Sequence, residues 1–325
     1  MSFKVEVVAS SPKSILGEGP HWDEQSQSLF YCDIYGTDAS VLRYDYNENK
    51  VYSAKIDGEP IVGFIIPVAN TTKTCDFDEY AVGLGRRVGI VHWDGKTRKA
   101  LLGPIAFEVE DDQPDNRFND AKADPVGRFY GGTMRIESKG DISEVASGKF
   151  YKYIKGDGVY ELIPNIFISN GMAWNEIENK FYYIDSCRFD IREYDWDPST
   201  GDISNERVAI DFKVNGKNTG FFPDGMTIDT DGNLFVAAFG GSKVLKVDSK
   251  KGKVVLEIPI PAEKVTSVAF GGPNLDILYV TTASIAVNAA DIGINPDSKQ
   301  SELSGRLFKV TGLGSKGFPG IKVRV

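Results

Sequence analysis

The chain has 325 residues, of which 41% are hydrophobic and 26% charged, and its formal net charge is −9 at pH 7. This composition is typical of a soluble globular protein, and the acidic balance argues against nucleic acid or an anionic membrane as a partner. No apolar run approaches the roughly 18 residues of a membrane span, and the start MSFKVEVVAS lacks the apolar core of a secretory signal. Cys32, Cys75 and Cys187 form no spaced cluster, so we expect reduced thiols in a cytoplasmic protein.

Aromatic-rich runs recur along the chain, and each is followed by a second, alternating run. The first series starts near Leu29, Tyr80, Arg128, Phe181, Leu234 and Leu278. The second series starts at Val41, Val88, Gly148, Ile191, Lys243 and Gly305. Side chains alternate across a strand, and turn dipeptides such as Asp-Gly at 94–95 and 231–232 separate the runs, so both series predict strands. No segment has the periodicity of a long amphipathic helix.

Repeats of about 50 residues are typical of four-stranded propeller blades. The sequence therefore predicts an all-β fold, a six-bladed β-propeller. No linker rich in Pro, Gly, Ser or charge divides the chain, which predicts a single domain over residues 1–325. The N-terminal run FKVEVVA is predicted to join the last blade alongside the C-terminal IKVRV and so to close the ring. Insertions at about 137–147 and 284–303 are predicted to be long loops.

A short pattern precedes five of the aromatic runs, and its first residue always carries a side-chain oxygen. The five segments are EGPHWD from Glu18, NDAKAD from Asn119, NGMAWN from Asn170, DGMTID from Asp224 and TSVAFG from Thr266. In a ring of repeats, a recurring position converges on the axis. Glu18, Asn170 and Asp224 are hard oxygen donors, which suit Ca²⁺, Mg²⁺ or Mn²⁺ and not a structural zinc or copper site.

Each dipeptide in this set has an alternative interpretation when taken alone. Asn-Gly and Asp-Gly form turns in which the side chain caps the local backbone. The common register of the set favours a metal site instead, with Asn119 either completing the metal shell or facing the substrate. The segment DTDGN at 229–233 resembles an EF-hand loop, but its glycine comes at the fourth position where the sixth is needed, so it predicts a hairpin turn.

Few residues are available for other catalytic chemistries. The chain has no G-x-S-x-G nucleophile elbow, and His21 and His92 are its only histidines. His92 lies in a strand-like run beside Trp93 and is predicted to pack. His21 is three residues from Glu18, close enough to approach the metal site, and we predict a structural role for it.

Arg117 lies two residues before Asn119, so both side chains point to the same side of an extended chain. The guanidinium fork binds carboxylate and hydroxyl oxygens well. The alternative is a surface arginine paired with Asp115 or Asp120. The position of Arg117 beside the ring opening favours substrate binding over this alternative.

These motifs resemble the family of regucalcin (senescence marker protein), gluconolactonase and luciferin-regenerating enzyme over essentially the whole chain. The matching segments are LGEGPHWD, NRFNDAKADPVGRFYGGTM, ISNGMAWN, FPDGMTIDTDGNL and VTSVAFGGPNLDILYVTTA, and the tail GLGSKGFPGIKVRV resembles insect members. The resemblance implies a six-bladed propeller with one divalent cation near the top of the central channel. Ca²⁺ is the first choice, with Zn²⁺, Mn²⁺ and Mg²⁺ as alternatives.

Carried over to matching positions, the resemblance implies that Glu18, Asn170 and Asp224 are metal ligands and that Asp224 is also the catalytic base. It further implies that the substrate is bound by Arg117, Asn119 and, counting on from GGTM, Glu137. The implied activity is a divalent-metal-dependent lactonase whose partner is a small-molecule sugar lactone. In that reaction the cation polarises the lactone carbonyl while a carboxylate takes a proton from water.

Two alternatives to the lactonase remain open. One is a luciferin-regenerating type of hydrolase acting on an aromatic heterocycle, which an aromatic pocket mouth formed by Phe64, Phe118 and Phe221 would favour. The other is a calcium-binding regulatory protein without required turnover. A substrate arm formed by Arg117 and Asn119 beside the metal favours an enzyme, because a calcium buffer needs ligands only.

Overall fold

The computed structural model describes residues 2–36, 40–69, 77–140, 142–285 and 301–325. Within these residues the secondary structure is β-strand, apart from two short 3₁₀ turns at Glu137–Lys139 and Ser186–Arg188. The predicted all-β class is therefore confirmed. No helix in this part of the chain has the length and apolar character needed to span a membrane.

Antiparallel pairing arranges the strands in four-stranded groups, which we call units 1 to 6. Unit 1 contains β2 (Gly17–Asp23), β3 (Ser28–Asp33), β4 (Ser40–Asp45) and β5 (Lys50–Ile56). Unit 2 contains β6 (Ile65–Pro67), β7 (Asp78–Leu84), β8 (Arg87–Trp93) and β9 (Lys99–Glu108). Unit 3 contains β10 (Asn116–Ala123), β11 (Phe129–Arg135), β12 (Gly148–Ile154) and β13 (Gly158–Ile166).

The second half of the chain continues the same arrangement. Unit 4 contains β14 (Ser169–Asn175), β15 (Lys180–Asp185), β16 (Asp190–Trp196) and β17 (Ile203–Asp211). Unit 5 contains β18 (Phe222–Ile228), β19 (Asn233–Phe239), β20 (Lys243–Asp248) and β21 (Lys253–Pro259). Unit 6 contains β22 (Lys264–Gly271), β23 (Ile277–Ala283), β24 (Phe308–Thr311) and, as its outer strand, β1 (Lys4–Val7).

The predicted strands match the second and third strands of these units. The aromatic-rich runs form β3, β7, β11, β15, β19 and β23, and the alternating runs form β4, β8, β12, β16, β20 and β24. Burial decreases outward through a unit: every residue of β14 and β22 is buried, whereas all but one residue of β13 and of β17 are half-buried or exposed. The first strand of each unit therefore faces the interior.

Successive units pack against one another through hydrophobic clusters. Five clusters lie between consecutive units, and a sixth joins unit 6 to unit 1. In the last of these, Trp22 stacks on Tyr279 with ring centroids 5.5 Å apart. Such an aromatic pair contributes about 0.5–1.5 kcal/mol beyond its area burial. The first and last units are thus held together by the same kind of packing as the others.

The C-terminal segment IKVRV does not pair where the sequence predicts. β1 pairs with β24, Val5 lying opposite Val310, so the outer position of unit 6 is filled without it. Gly312 and Gly314 have positive φ angles of 77° and 69°, which turn the chain away from that sheet. Residues 312–325, here called the strap, then run past the inner strands of several units and the turns that follow them. Val323 forms a β-bridge with Val68 of unit 2. The predicted pairing of FKVEVVA with IKVRV is therefore wrong, although β1 does complete the last unit.

The strap forms backbone hydrogen bonds with five units, including those from the N–H of Val323 to Pro67 of unit 2 (2.9 Å) and from the N–H of Thr230 of unit 5 to Lys316 (2.8 Å). The N–H of Gly317 donates to Leu275 (2.9 Å) and that of Gly320 to Trp22 (2.8 Å). The N–H of Arg324 donates to Gly127 (2.8 Å). The strap therefore fastens several units at one end of the structure. The predicted insertion at 284–303 lies mostly outside the described residues, since 286–300 are not among them.

Candidate metal centre

The inner strands of five units change register where the sequence pattern begins. Pairing between the first and second strands shifts there in units 1, 3, 4, 5 and 6. A β-bulge of this kind places an extra residue in one strand and re-aims its side chain. The first residue of every pattern segment lies at or beside such a shift: Glu18, Asn119, Asn170, Asp224 and Thr266. The exception among the units is unit 2, whose inner strand IIP is apolar.

A hydrogen-bonded chain links the amides of two of these residues to unit 5. Asn119 Nδ2 donates to Asn170 Oδ1 (3.2 Å) and to the Ser169 carbonyl (2.8 Å). Asn170 Nδ2 donates to Ser186 Oγ (2.8 Å), which in turn donates to the carbonyl of Pro223 (2.7 Å). This network assigns the amide orientation of Asn170. It also ends on the residue directly before Asp224, so units 3, 4 and 5 are coupled at the site.

Glu18 and Asp224 are buried carboxylates that disfavour each other's charge. Glu18 is 7% exposed and Asp224 6%. Burial, followed by the charge of Asp120, raises the pKa of Glu18 to about 8. Burial, followed by the charges of Glu18 and Asp120, raises the pKa of Asp224 well above its usual value. Asp224 Oδ1 has no hydrogen-bond partner among the described residues. Ionisation of both carboxylates is therefore unfavourable unless a cation neutralises their charge.

The residues present fit a divalent cation bound by oxygen. Two carboxylates and the Asn170 amide supply hard donors of the kind preferred by Ca²⁺, Mg²⁺ and Mn²⁺. In the described part of the chain, no three His, Cys, Asp or Glu side chains form a ligand group by themselves. The candidate centre therefore depends on an amide as its third donor, which favours oxygen-preferring ions over those that prefer sulfur or nitrogen.

Asp120 belongs to this cluster, although the sequence analysis did not select it as a site residue. It is 4% exposed, and its Oδ1 accepts the N–H of Ala121 (2.8 Å). Its Oδ2 has no partner among the described residues, and its charge acts on both Glu18 and Asp224. The available signal was the second position of the pattern, which holds glycine in three of the five segments and a carboxylate only here.

Arg117 and Glu137 form an ion pair beside Asn119. Arg117 is 1% exposed, and its Nη1 donates to Asn119 Oδ1 (2.7 Å) and to the carbonyl of Phe118 (3.0 Å). Its Nε donates to Glu137 Oε2 (3.1 Å), and its Nη2 pairs with the other carboxylate oxygen. The Tyr35 hydroxyl, from unit 1, also donates to Glu137. Four of the five N–H groups of Arg117 are therefore engaged.

The surface-arginine alternative for Arg117 is wrong. Asp115 pairs with Lys139 at 2.9 Å instead, and Arg117 is buried against Glu137. Burial acts to raise the pKa of Glu137, but the charge and hydrogen bonds of Arg117 hold it below its usual value. Glu137, reached by counting along an interrupted motif, thus lies next to the two other residues assigned to substrate binding. Tyr35 is the member of this group that no sequence pattern indicated.

A cavity of about 170 Å³ lies between the inner strands, on the side of the bulges that faces the strap. Its lining includes His21, Asp120, Lys122 and residues 318–321 of the strap. His21 Nε2 has no partner in the described residues, and burial lowers the pKa of His21 to about 4. Its ring lies against Gly320, where a Cβ would come within 2.4 Å. His21 therefore contacts the strap, in keeping with the structural role predicted for it.

Other predicted positions have structural explanations. The Thr266 hydroxyl donates to the carbonyl of Gly17 (2.6 Å), which links unit 6 to unit 1. His92 Nδ1 lies 3.7 Å from a carboxylate oxygen of Glu79 on the neighbouring strand. The segment 229–233 is the hairpin turn between β18 and β19, where Asp229 accepts a backbone hydrogen bond from Asn233 (2.8 Å). The predicted turn is confirmed.

The three phenylalanines considered for an aromatic pocket mouth are buried in packing. Phe64 and Phe118 meet edge to face, with centroids 6.1 Å apart, in the cluster between units 2 and 3. Phe221 packs on Phe212 in the cluster between units 4 and 5. Their exposed fractions are 0%, 1% and 7% for Phe64, Phe118 and Phe221. The expectation that they line a pocket mouth is wrong, because inter-unit packing takes up these rings.

The meander units and the oxygen donors at the bulges of their inner strands define a propeller-type protein with a candidate cation centre. The model of the SMP-30/Gluconolactonase/LRE-like region matches residues 16–284. The chain belongs to this family. It is 36% identical over 318 residues to a regucalcin from Danio rerio, covering 98% of this chain and 97% of that protein.

Solved structures agree with this assignment. The chain is similar to a luciferin-regenerating enzyme with 37% identity and a TM-score of 0.87, and each chain is covered completely. A calcium-binding protein, regucalcin, from Agrobacterium tumefaciens has a TM-score of 0.79 with 23% identity, covering 99% of this chain and 98% of that one. At that identity the second match supports the fold alone. Both have the propeller-type fold.

Proposed function

We propose that the chain is a single six-bladed β-propeller domain over residues 1–325 and a divalent-metal-dependent hydrolase of sugar lactones. The six units, with clusters between every consecutive pair and between the last and the first, support the closed ring. Membership of a family whose model names gluconolactonase supports the reaction class. The small-molecule partner proposed is a sugar lactone, and nucleic acid and membranes are not proposed as partners.

Glu18, Asn170 and Asp224 would hold the cation, with Ca²⁺ as the first choice and Zn²⁺, Mn²⁺ and Mg²⁺ as alternatives. A bound dication would polarise the lactone carbonyl and offset the negative charge that develops on its oxygen. Asp224 is the proposed base, because its Oδ1 has no hydrogen-bond partner among the described residues and would accept a proton from the attacking water. The Ser186 hydroxyl holds the Asn170 amide in one orientation.

Arg117, Asn119 and Glu137 are proposed to orient the substrate. Their mutual hydrogen bonds fix all three side chains before substrate arrives, which reduces the entropy lost on binding. The burial of Arg117 and Asn119 strengthens the hydrogen bonds that they would form with a substrate.

The observation that carries the proposal is the pair of buried carboxylates Glu18 and Asp224, each at a bulge of an inner strand and each disfavouring the other's charge. The test is to purify the protein without added metal, measure its metal content, and assay a panel of sugar lactones with each of the four ions. We expect one bound ion per chain and hydrolysis that varies by about tenfold or more among ions, because smaller ions acidify water more strongly. Lactone hydrolysis absent with every ion would refute the reaction.

A luciferin-regenerating type of hydrolase is the second candidate. The similarity to such an enzyme over the whole chain, at 37% identity, favours it. The burial of Phe64, Phe118 and Phe221 removes the aromatic pocket mouth that would have supported it further. Including an aromatic heterocyclic substrate in the lactone panel separates the two activities, since a preference of kcat/KM for that substrate would favour the second candidate.

A calcium-binding regulator without turnover is the third candidate. Such a protein should prefer Ca²⁺ over Mg²⁺ strongly and change conformation on binding. We also propose a cytoplasmic location, which the free thiols of Cys32 and Cys187 support. Cys75 lies outside the described residues.

A further inference from the structure

Lys122 joins three inner strands next to the candidate metal centre. It follows Asn119 by three residues on β10, and its Nζ donates to the carbonyl of Met172 (3.0 Å) and to that of Met226. Met172 lies two residues after Asn170, and Met226 lies two residues after Asp224. One ammonium group therefore ties together the strands that present the amide and carboxylate donors, directly beyond their bulges.

The charges around the centre balance when Lys122 is counted, because Arg117, whose charge also acts on Glu18, is neutralised by its ion pair with Glu137. Glu18, Asp120 and Asp224 lie close enough for their charges to act on one another, and together they carry three negative charges when ionised. A dication supplies two positive charges and leaves one negative charge uncompensated. Lys122, whose charge acts on Asp120, supplies the remaining positive charge. Uncompensated charge in a buried site is strongly unfavourable.

We propose that Lys122 is a positioning residue of the metal centre and that its fixed charge makes the centre selective for divalent over trivalent cations. This inference rests on the proposed cation site at Glu18, Asn170 and Asp224. With Lys122 in place, a dication makes the centre neutral and a trivalent ion leaves one excess positive charge. Without the charge of Lys122, a trivalent ion would be the one that makes the centre neutral.

A purely structural role for Lys122 predicts a different result. If the ammonium group only holds the strands together, its loss would loosen the ligands and weaken the binding of every cation to a similar extent. The ratio of two dissociation constants, for Ca²⁺ and for Tb³⁺, cancels such a common effect. That ratio therefore separates a charge effect from a loss of rigidity.

The experiment compares wild type with Lys122→Met and Lys122→Arg, using calorimetry for Ca²⁺ and luminescence titration for Tb³⁺. We expect the ratio Kd(Ca²⁺)/Kd(Tb³⁺) to rise by about tenfold or more in Lys122→Met, because the trivalent ion is repelled more strongly by the lost charge. In Lys122→Arg, which keeps the charge, the ratio should stay within about threefold of wild type.

Substitution of Asp120 is a second test, in which the ratio is expected to change in the opposite direction. Asp120→Asn removes one negative charge and should lower the same ratio, while the double variant Lys122→Met/Asp120→Asn should return it towards the wild-type value. Lys152→Met is the matched control. Lys152 also donates to a backbone carbonyl (Thr200, 2.9 Å) and pairs with a carboxylate (Asp202, 2.7 Å), but it lies on β12. Its replacement should leave the ratio unchanged.

The outcomes are distinguishable. A folded Lys122→Met protein with an unchanged ratio overturns the inference and leaves the cation site standing. If Lys122→Met fails to fold, Lys122→Gln replaces it, because glutamine keeps a hydrogen-bond donor for the carbonyls of Met172 and Met226 without the charge, and an unchanged ratio there overturns the inference. A wild-type protein that binds neither ion overturns both this inference and the proposed metal site.

Discussion

Glu18→Gln is expected to stabilise the metal-free protein and to abolish the stabilisation that a divalent cation confers. The pKa of Glu18 is raised from its ordinary value of 4.5 to about 8, chiefly by burial and then by the charge of Asp120. The folded state therefore binds the proton more tightly than the unfolded state does. Wild-type stability should fall as the pH rises from 4.5 to about 8, and should be constant on either side of that window as far as Glu18 is concerned.

The size of this effect follows from the shift. At pH 7 the unfolded chain ionises Glu18 freely while the folded chain resists, and the difference from pH 4.5 corresponds to about 3 kcal/mol at ~1.4 kcal/mol per pH unit. Because Glu18 shares its environment with Asp224, part of this free energy belongs to the pair. We therefore expect metal-free Glu18→Gln to exceed wild type by about 1–3 kcal/mol at pH 7, and to match it near pH 4.

The assay is urea unfolding in a chelating buffer from pH 4 to pH 8, repeated with saturating Ca²⁺. Wild type should gain stability with Ca²⁺ and the variant should not, so their order should reverse when the ion is added. Glu24→Gln, at an exposed position just after the same strand, is the control and should leave the stability unchanged both with and without Ca²⁺. A metal-free variant that is less stable than wild type at pH 7, or a difference independent of pH, would refute the reasoning.

Three further predictions test the surroundings of the site. Ser186→Ala should weaken Ca²⁺ binding by about tenfold in calorimetry, because it frees the Asn170 amide; unchanged affinity would contradict the orienting role. Arg117→Ala and Asn119→Ala should each lower kcat/KM for a lactone by the equivalent of ~1.5–3 kcal/mol and leave cation affinity within a few-fold. Parallel loss of affinity and activity in Asn119→Ala would make that residue a ligand. Burial lowers the pKa of His21 from 6.5 to about 4, so the folded state resists protonation of this side chain. As the pH falls from 6.5 to 4, the free energy of unfolding should therefore decrease by up to about 3 kcal/mol. His21→Gln should remove this part of the acid sensitivity in urea unfolding, and an unchanged pH dependence would count against it.

The strands could be predicted because their signals are local. Alternation, aromatic residues and turn dipeptides recur in each repeat, and they fall on the second and third strands of every unit. The tail shows the limit of such signals. The segment IKVRV alternates apolar and charged residues, as an edge strand does. Its pairing partner, however, depends on which strand already fills the outer position of unit 6. That position belongs to β1, and the turns at Gly312 and Gly314 lead the tail elsewhere.

The candidate site could be predicted in part for a similar reason. Recurrence of an oxygen-bearing residue in register selects five positions without knowledge of the fold, and Glu18, Asn170 and Asp224 are the three of them predicted as cation ligands. Asp120 has a weak signal in the sequence, as the one carboxylate at the second position of the pattern, whereas Lys122 is identified only by its contacts between units. Tyr35 reaches Glu137 across 102 positions of sequence, and no local pattern encodes that contact.

Titration of chelator-treated protein with Ca²⁺, on wild type and Asp224→Asn in parallel, tests the central claim most directly. The account predicts one site per wild-type chain and loss of that site in Asp224→Asn, because the amide removes a charge that the dication needs while keeping the shape. Lactone hydrolysis should disappear together with the ion. Wild-type affinity in Asp224→Asn, or no binding by wild type at millimolar Ca²⁺, would contradict a cation centre built on Glu18, Asn170 and Asp224.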